Sequence, residues 1–194
     1  MALGMYSRAL AAQPRAVKGC TSSALYFVGD LAAQSVEGRG PLAREPQGPP
    51  IDLARTARMT AWGLCFGVSA HSWYGVLDGL RRRWRWTGAG GVAKTVFFEQ
   101  FTWTPVLNAS MFFALKVMEG GSAADGVQSV RERLLPTLRW TLTVWPAAQA
   151  VNFALVPVAY QVLYINVLAM FWSAFLSHQA AKKLVEVEEE AGVR

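Results

Sequence analysis

The chain has 194 residues, of which 53% are hydrophobic and only 16% are charged, and its mean hydropathy is +0.22. This composition excludes intrinsic disorder, a coiled coil and a nucleic-acid-binding arm, and it favours a membrane protein. The net charge is +6, but the basic residues cluster between apolar stretches and form no single basic tract. Such clusters are typical of loops at a charged membrane surface, so we expect no direct nucleic-acid binding.

Uncharged stretches of the sequence predict where the helices lie. Four long runs lack Lys, Arg, Asp and Glu: 19–29, 59–77, 100–115 and 140–181. About 20 residues of helix cross a hydrocarbon core that is about 30 Å thick. The runs therefore predict an all-α fold, an integral membrane bundle of four transmembrane helices. With their flanking residues, the predicted spans are about 16–36, 53–78, 92–117 and 157–178.

The last uncharged run is about twice as long as one span, and prolines interrupt it. Pro146 and Pro157 lie inside the run, and a proline within a helix removes a hydrogen bond and kinks or ends the helix. We therefore expect a Pro-broken interfacial helix at 134–156 before the last span, with a fifth full crossing as the alternative. Residues 1–183 then form one membrane domain, and 184–194 form an acidic tail.

A row of small residues marks the second predicted span. Gly63, Gly67, Gly75 and Gly79 follow one another at helical spacing, with His71 in the middle of the row. Residues four apart lie on one face of a helix, and glycines on that face let a neighbouring backbone approach closely. The row predicts a helix-packing seam, and a chance cluster of glycines is the alternative.

Two acidic residues lie inside predicted spans, where a charge is costly unless it is paired or hydrated. One of them is Glu99, which falls at a depth similar to that of His71 on the neighbouring span. We expect Glu99, His71 and Gln100 to form a polar cluster inside the bundle. This cluster either lines a pore or locks two helices together by hydrogen bonds.

The second acidic residue is Asp30, late in the first predicted span. Arg55 and Arg58 lie early in the second span and should meet Asp30 there. This pair lies toward the face of the membrane opposite to the one near Glu99 and His71. A pair of opposite charges makes a charge inside a span less costly. We therefore predict a structural salt bridge between Asp30 and one of these arginines.

Polar amides accompany the prolines of the last uncharged run. Trp145-Pro146 is followed by Gln149, Asn152 and Pro157. Broken helices at membrane depth are tolerated where they are buried in protein or line a wet cavity. We therefore predict a helix break at Trp145, Pro146 and Pro157, and we place Gln149 and Asn152 in the pore or polar cluster.

The sequence contains no cysteine pattern and no enzyme motif that would indicate catalysis. Cys20 and Cys65 lie in apolar stretches, which predicts buried thiols and no disulfide framework. The sequence has no HExxH or GxSxG word and no spacing typical of metal ligands. We therefore expect a protein that is not an enzyme and that uses no metal and no cofactor.

Several sequence motifs of this chain together resemble those of one protein family. They are Gly29-Asp30 with Gln34, Asp52-x-x-Arg55-x-x-Arg58, Gly67-x-x-x-His71-x-Trp73-Tyr74, Gln100 with Pro105, Trp145-Pro146-x-x-Gln149-x-x-Asn152-Phe153-x-x-Val156-Pro157, and Trp172-x-x-x-Leu176-Ser177. They resemble the Mpv-seventeen and peroxisomal membrane protein twenty-two family over about Tyr6 to Ser177, and most of all its mitochondrial yeast-type stress-induced branch. The chain departs from the family pattern at Val68, Glu99 and Gln161, where the family usually has proline, aspartate and a basic residue.

The resemblance implies a function and a location. It implies four transmembrane helices in the mitochondrial inner membrane and a weakly selective channel or metabolite pore. In this family such a role is linked to membrane potential, stress tolerance and mitochondrial DNA maintenance. A basic, acid-free segment over residues 1–18 is similar in charge to a mitochondrial targeting segment.

Alternatives and partners complete the expectation. The alternatives are a non-conducting structural or assembly protein of the inner membrane and a pore of the peroxisomal membrane. The lipid bilayer is the first expected partner, and a homo-oligomer or an inner-membrane complex is the second.

Overall fold

Residues 2–38 and 50–172 are described in a computed structural model of the chain. These residues form six helices and no strands. The helices are α1 (Ala2–Ala12), α2 (Pro14–Val36), α3 (Leu53–Arg83), α4 (Gly88–Met118), α5 (Ala123–Leu155) and α6 (161–172). The predicted all-α class is confirmed. The acidic tail at 184–194 and the part of the last predicted span beyond residue 172 lie outside the described residues.

Three of the helices match predicted spans closely. Helices α2, α3 and α4 cover the predicted spans 16–36, 53–78 and 92–117, and each extends a few residues beyond at least one predicted end. Across the described ranges, no helix is both long enough and apolar enough to cross a membrane.

The predicted broken segment at 134–156 is wrong. It lies inside α5, one continuous helix that contains Pro136 and Pro146. A proline removes only one backbone hydrogen bond, and α5 packs along α4, which stabilises the helix despite that loss. The Trp145-Pro146 break is therefore absent, and of the predicted break residues only Pro157 lies between two helices. At Val156 the backbone becomes extended, with φ −94° and ψ 123°, as the residue before a proline prefers.

Two antiparallel pairs, α2 with α3 and α4 with α5, build the bundle. Part of the predicted glycine seam joins the first pair. A Cβ added at Gly67 would collide with the carbonyl oxygen of Lys18 and would lie 2.5 Å from Ser22 Oγ. At Gly63 it would lie 2.8 Å from Tyr26 Cβ. These two glycines therefore let the α2 and α3 backbones approach closely.

The second half of the glycine row does not contribute to the seam. A Cβ at Gly75 or Gly79 would meet nothing within 4 Å. Helices α2 and α3 are antiparallel, so the N-terminal end of α2 at Pro14 lies nearest to the second half of the glycine row. That end of α2 does not extend as far as Gly75. The predicted seam is thus present at Gly63 and Gly67 and absent at the other two glycines.

The apolar core lies near the turn between α5 and α6. Its buried members come from α3, α4, α5 and α6 and are Phe66, Ala70, Tyr74, Leu77, Val96, Phe153, Val162 and Ile165. The two cysteines do not belong to this core. Cys20 and Cys65 are exposed on the outer surfaces of α2 and α3, so the prediction of buried thiols is wrong.

Candidate functional site

A cavity of about 460 Å³ lies inside the bundle, and helices α2 to α6 all contribute to its wall. Many of the lining side chains are aromatic or aliphatic. Asp30 and Arg55 line one end, and Tyr74 and Glu99 line the other. Along α3, Arg55 and Tyr74 are separated by 19 residues. At 1.5 Å per residue this corresponds to about 28 Å.

Asp30 is fully satisfied at its end of the cavity. The residue is 4% exposed. Arg55 Nε donates to Asp30 Oδ1 at 2.8 Å. Thr56 Oγ1 and Gln34 Nε2 donate to Asp30 Oδ2 at 2.7 and 2.8 Å. Both carboxylate oxygens are therefore occupied, and the pair between Asp30 and Arg55 is present as the sequence predicts.

Arg55 also binds a second carboxylate. Its Nη1 and Nη2 donate to Glu37 at 2.7 and 3.1 Å, so the guanidinium joins the end of α2 to the start of α3. Among the described residues, Arg58 does not pair with Asp30. Arg58 lies three residues further along α3, which places it about 60° around the helix from Arg55. Of the two predicted arginine partners, Arg55 takes the role.

A second polar cluster surrounds Glu99 on α4. Gln149 Nε2 on α5 donates to Glu99 Oε1 at 3.0 Å, and Thr104 Oγ1 contacts the same oxygen at 3.4 Å. Asn152 Nδ2 donates to Gln149 Oε1 at 2.9 Å. The structure thus brings Glu99, Gln149 and Asn152 together, each at most 3% exposed. Their grouping depends on α5 being continuous, because Gln149 and Asn152 both lie beyond Pro146.

His71 is not part of this cluster, and its predicted contact with Glu99 is wrong. His71 belongs to the same row as Gly63 and Gly67, and this row faces α2. The charged groups that interact with it are Lys18 and Arg15 of α2. His71 Nδ1 is buried and has no hydrogen-bond partner in the described part of the chain.

Tyr74, and not His71, is the α3 residue that contacts the polar cluster around Glu99. The Tyr74 hydroxyl accepts a hydrogen bond from Gln149 Nε2 at 3.3 Å, and its ring packs edge-on against Phe153. The sequence carries a signal for this residue, because Phe66, Ala70 and Tyr74 form an i, i+4 row on the core face of α3. That row lies beside the glycine row and points to a different neighbour.

Some buried polar atoms at the cavity have no partner among the described residues. They are Glu99 Oε2, both amide atoms of Gln100, and Asn166 Oδ1. All three residues line the cavity and are at most 3% exposed. Buried polar groups are nearly always hydrogen-bonded, so these atoms mark a place where the cavity can accept a polar guest.

Known proteins with similar sequences cover most of the chain. Protein SYM1 of Kluyveromyces lactis is 32% identical, over 89% of this chain and 86% of its own length. Protein SYM1 of Saccharomyces cerevisiae is 30% identical, over 93% and 90%. Mitochondrial inner membrane protein Mpv17 of Caenorhabditis briggsae is 29% identical, over 95% and 96%. No solved structure matches the chain.

The comparisons confirm the predicted family and branch. The model of the Mpv17 / PMP22 family matches residues 116–177. The yeast relatives bear out the likeness to the yeast-type branch. The name of the Caenorhabditis briggsae relative, a mitochondrial inner membrane protein, agrees with the predicted location. Together with the extent of the shared sequence, these matches show that the chain belongs to the Mpv17 / PMP22 family.

Proposed function

We propose that this protein is a multi-pass pore of the mitochondrial inner membrane that passes small solutes with weak selectivity. The cavity carries the proposal, because its wall holds the charged residues Asp30, Arg55 and Glu99 together with buried polar atoms that have no partner among the described residues. A purely structural bundle of this composition has no need of a cavity with unpartnered polar atoms. Ionisable groups within membrane helices mark solute pathways in many proteins.

Membrane insertion of the bundle is supported by its outer surface. Large apolar side chains on α4, α5 and α6 are more than half exposed, among them Phe97, Phe101, Trp140, Leu155 and Phe171. Apolar surface on this scale suits contact with lipid. We propose that α2, α3, α4 and α6 belong to the four spans, with the uncharged half of α5 packed along α4.

The length of the cavity fits a membrane pathway. Its two polar ends are separated by about 28 Å along α3, and a hydrocarbon core is about 30 Å thick. A solute that moves from the Asp30–Arg55 end to the Glu99 end therefore crosses most of the apolar layer. Transport of this kind accounts for the proposed roles in membrane potential, stress tolerance and mitochondrial DNA maintenance, and it requires no enzymatic step.

Conductance measurements test the pore. Purified protein in planar bilayers should conduct, and Glu99→Gln should change the unitary conductance or the ion selectivity. Glu132→Gln is the matched control, because Glu132 is exposed on α5 and lies outside the cavity. Its conductance should equal that of the native protein. A silent bilayer, with protein shown to be folded by circular dichroism, would refute the pore.

The competing proposal is a non-conducting structural or assembly protein. The close α2–α3 contact at Gly67 and the fully paired Asp30 favour it, since both serve packing alone. This alternative demands a stoichiometric partner complex of the inner membrane. Quantitative crosslinking and pull-down from mitochondria separate the two proposals, because the pore requires no such partner.

A further inference from the structure

We propose that the cavity contains a binding site for small organic cations, formed by Glu99, Gln100 and the indole rings of Trp103 and Trp145. This inference rests on the proposed pore and names the class of solute that binds in it. It depends on three features of the cavity wall: its charge balance, its unoccupied acceptors and its rings.

Charge balance favours a cation. Three described residues that line the cavity are formally charged, and they are Asp30, Arg55 and Glu99. Asp30 and Arg55 compensate each other through their ion pair at 2.8 Å. The groups that contact Glu99 in the described structure, Thr104 and Gln149, are neutral. A buried carboxylate without a counter-charge is costly, and a bound cation would remove that cost.

Unoccupied acceptors point to the same end of the cavity. Both oxygens of Asp30 accept hydrogen bonds, whereas Glu99 Oε2 has no partner among the described residues. Both side-chain amide atoms of Gln100, one residue further along α4, also lack a partner, so this residue offers a free donor as well as a free acceptor oxygen. An ammonium group has several N–H donors and no acceptor, so it suits a site that presents two free oxygens.

Two tryptophans of the cavity wall lie within one helical turn of Glu99 and of its partner Gln149, and the ring of one of them, Trp103, stacks on Trp73 with centroids 5.1 Å apart. Trp103 lies one turn after Glu99 on α4, and Trp145 lies one turn before Gln149 on α5; both line the cavity. Residues four apart are neighbours on a helix surface. The face of an aromatic ring carries negative electron density, which attracts an organic cation. The same ring also packs against an apolar substituent of that cation. The wall therefore suits an ammonium group attached to a small apolar body.

A set of three ligands tests the class without any substitution. Native protein in lipid nanodiscs is titrated with 2-phenylethylammonium, 2-phenylethanol and 3-phenylpropanoate by isothermal titration calorimetry. The ligands share a phenyl ring and carry a positive, a neutral and a negative head group. We expect the ammonium ligand to bind at least about tenfold more tightly than the other two, because a charge-assisted hydrogen bond to a buried carboxylate is worth this much or more. Equal or tighter binding of the alcohol or the carboxylate would overturn the proposal.

A pair of variants then locates the site. Glu99→Gln keeps the size and removes the charge, so the preference for the ammonium ligand should disappear. Glu132→Gln makes the same chemical change on the exposed face of α5 and should leave the preference intact. Retention of the preference in folded Glu99→Gln would refute the site, and if this variant does not fold, the ligand set on native protein still decides. Ammonium binding with a silent bilayer would refute the pore alone, and conductance without an ammonium preference would refute this site alone.

Discussion

Replacing Gly67 with alanine tests the close packing of α2 against α3. A Cβ at Gly67 collides with the Lys18 carbonyl oxygen and lies 2.8 Å from Gly19 Cα, and both of these are backbone atoms that cannot rotate away. Overpacking of this kind costs about 1–3 kcal/mol. Gly75→Ala on the same helix is the matched control, since its new methyl group meets nothing within 4 Å.

Both substitutions gain the same helix propensity, about 1 kcal/mol. The difference in unfolding free energy between the two variants is therefore the overpacking cost alone, about 1–3 kcal/mol in favour of Gly75→Ala. For a chain of this size, 1 kcal/mol shifts the melting temperature by about 2–4 °C. Thermal unfolding in detergent, followed by circular dichroism, should place Gly67→Ala about 2–12 °C below Gly75→Ala. Equal melting temperatures, or a more stable Gly67→Ala, would refute the close contact.

Three further substitutions test other parts of the structure by the same thermal assay. Asp30→Asn should lower the unfolding free energy by about 1.5–3 kcal/mol, because it weakens the charged hydrogen bond from Arg55; an unchanged midpoint would contradict the pairing. Tyr74→Phe should cost about 1 kcal/mol through loss of a hydrogen bond from Gln149, with the packing of the ring retained, and a loss of several kcal/mol would show a larger role for the hydroxyl. Hydrogen bonds from the Ser122 side chain and backbone hold the pKa of Asp125 below its ordinary value of 3.8. A lowered pKa in the folded state stabilises the protein above the unfolded pKa, and this contribution is lost as the pH falls. Asp125→Asn should therefore be less stable than the native protein at pH 7 and should converge with it as the pH falls below 3.8; a difference that stays constant with pH would contradict the assignment.

Charge placement in the sequence predicts much of the fold. The stretches without charged residues indicate α2, α3 and α4 with bounds accurate to a few residues, because charges collect at helix ends and loops. The same reasoning selects Asp30 and Glu99, the two acids that interrupt such stretches. Each lies at the cavity. Asp30 finds its partner among two arginines near the start of α3, since an acid late in one helix meets a base early in the next antiparallel helix.

The positions of the prolines predict the helix ends less well than the charges do. Pro146 and Pro157 carry the same local signal, yet only Pro157 separates two helices. The difference is tertiary, because α5 has α4 alongside it at Pro146, and the packing compensates for one missing hydrogen bond. A sequence pattern for one helix contains no information about the neighbour that supports it.

Helix rotation is the second limit of the sequence. His71 and Tyr74 lie within one turn of α3, and depth alone makes both acceptable neighbours of Glu99. The face that each occupies depends on which helix packs against the glycine row. Since α2 fills that row at Gly63 and Gly67, His71 faces α2 and Tyr74 faces the cavity. Depth is a property of spacing along one helix, whereas rotation is fixed by packing between helices.

Chemical modification of the cavity wall tests the proposed pore most directly. In a protein that carries Cys20→Ser and Cys65→Ser, Leu107→Cys places a thiol on the cavity wall, and Phe101→Cys places one on the exposed face of the same helix. A positively charged methanethiosulfonate reagent is added to each protein in a planar bilayer, and labelling is verified by mass spectrometry. If solutes pass through the cavity, the reagent labels Leu107→Cys and reduces the current, whereas Phe101→Cys, on the surface proposed to face lipid, stays unlabelled and its current is unchanged. An unchanged current after verified labelling of Leu107→Cys would contradict the account.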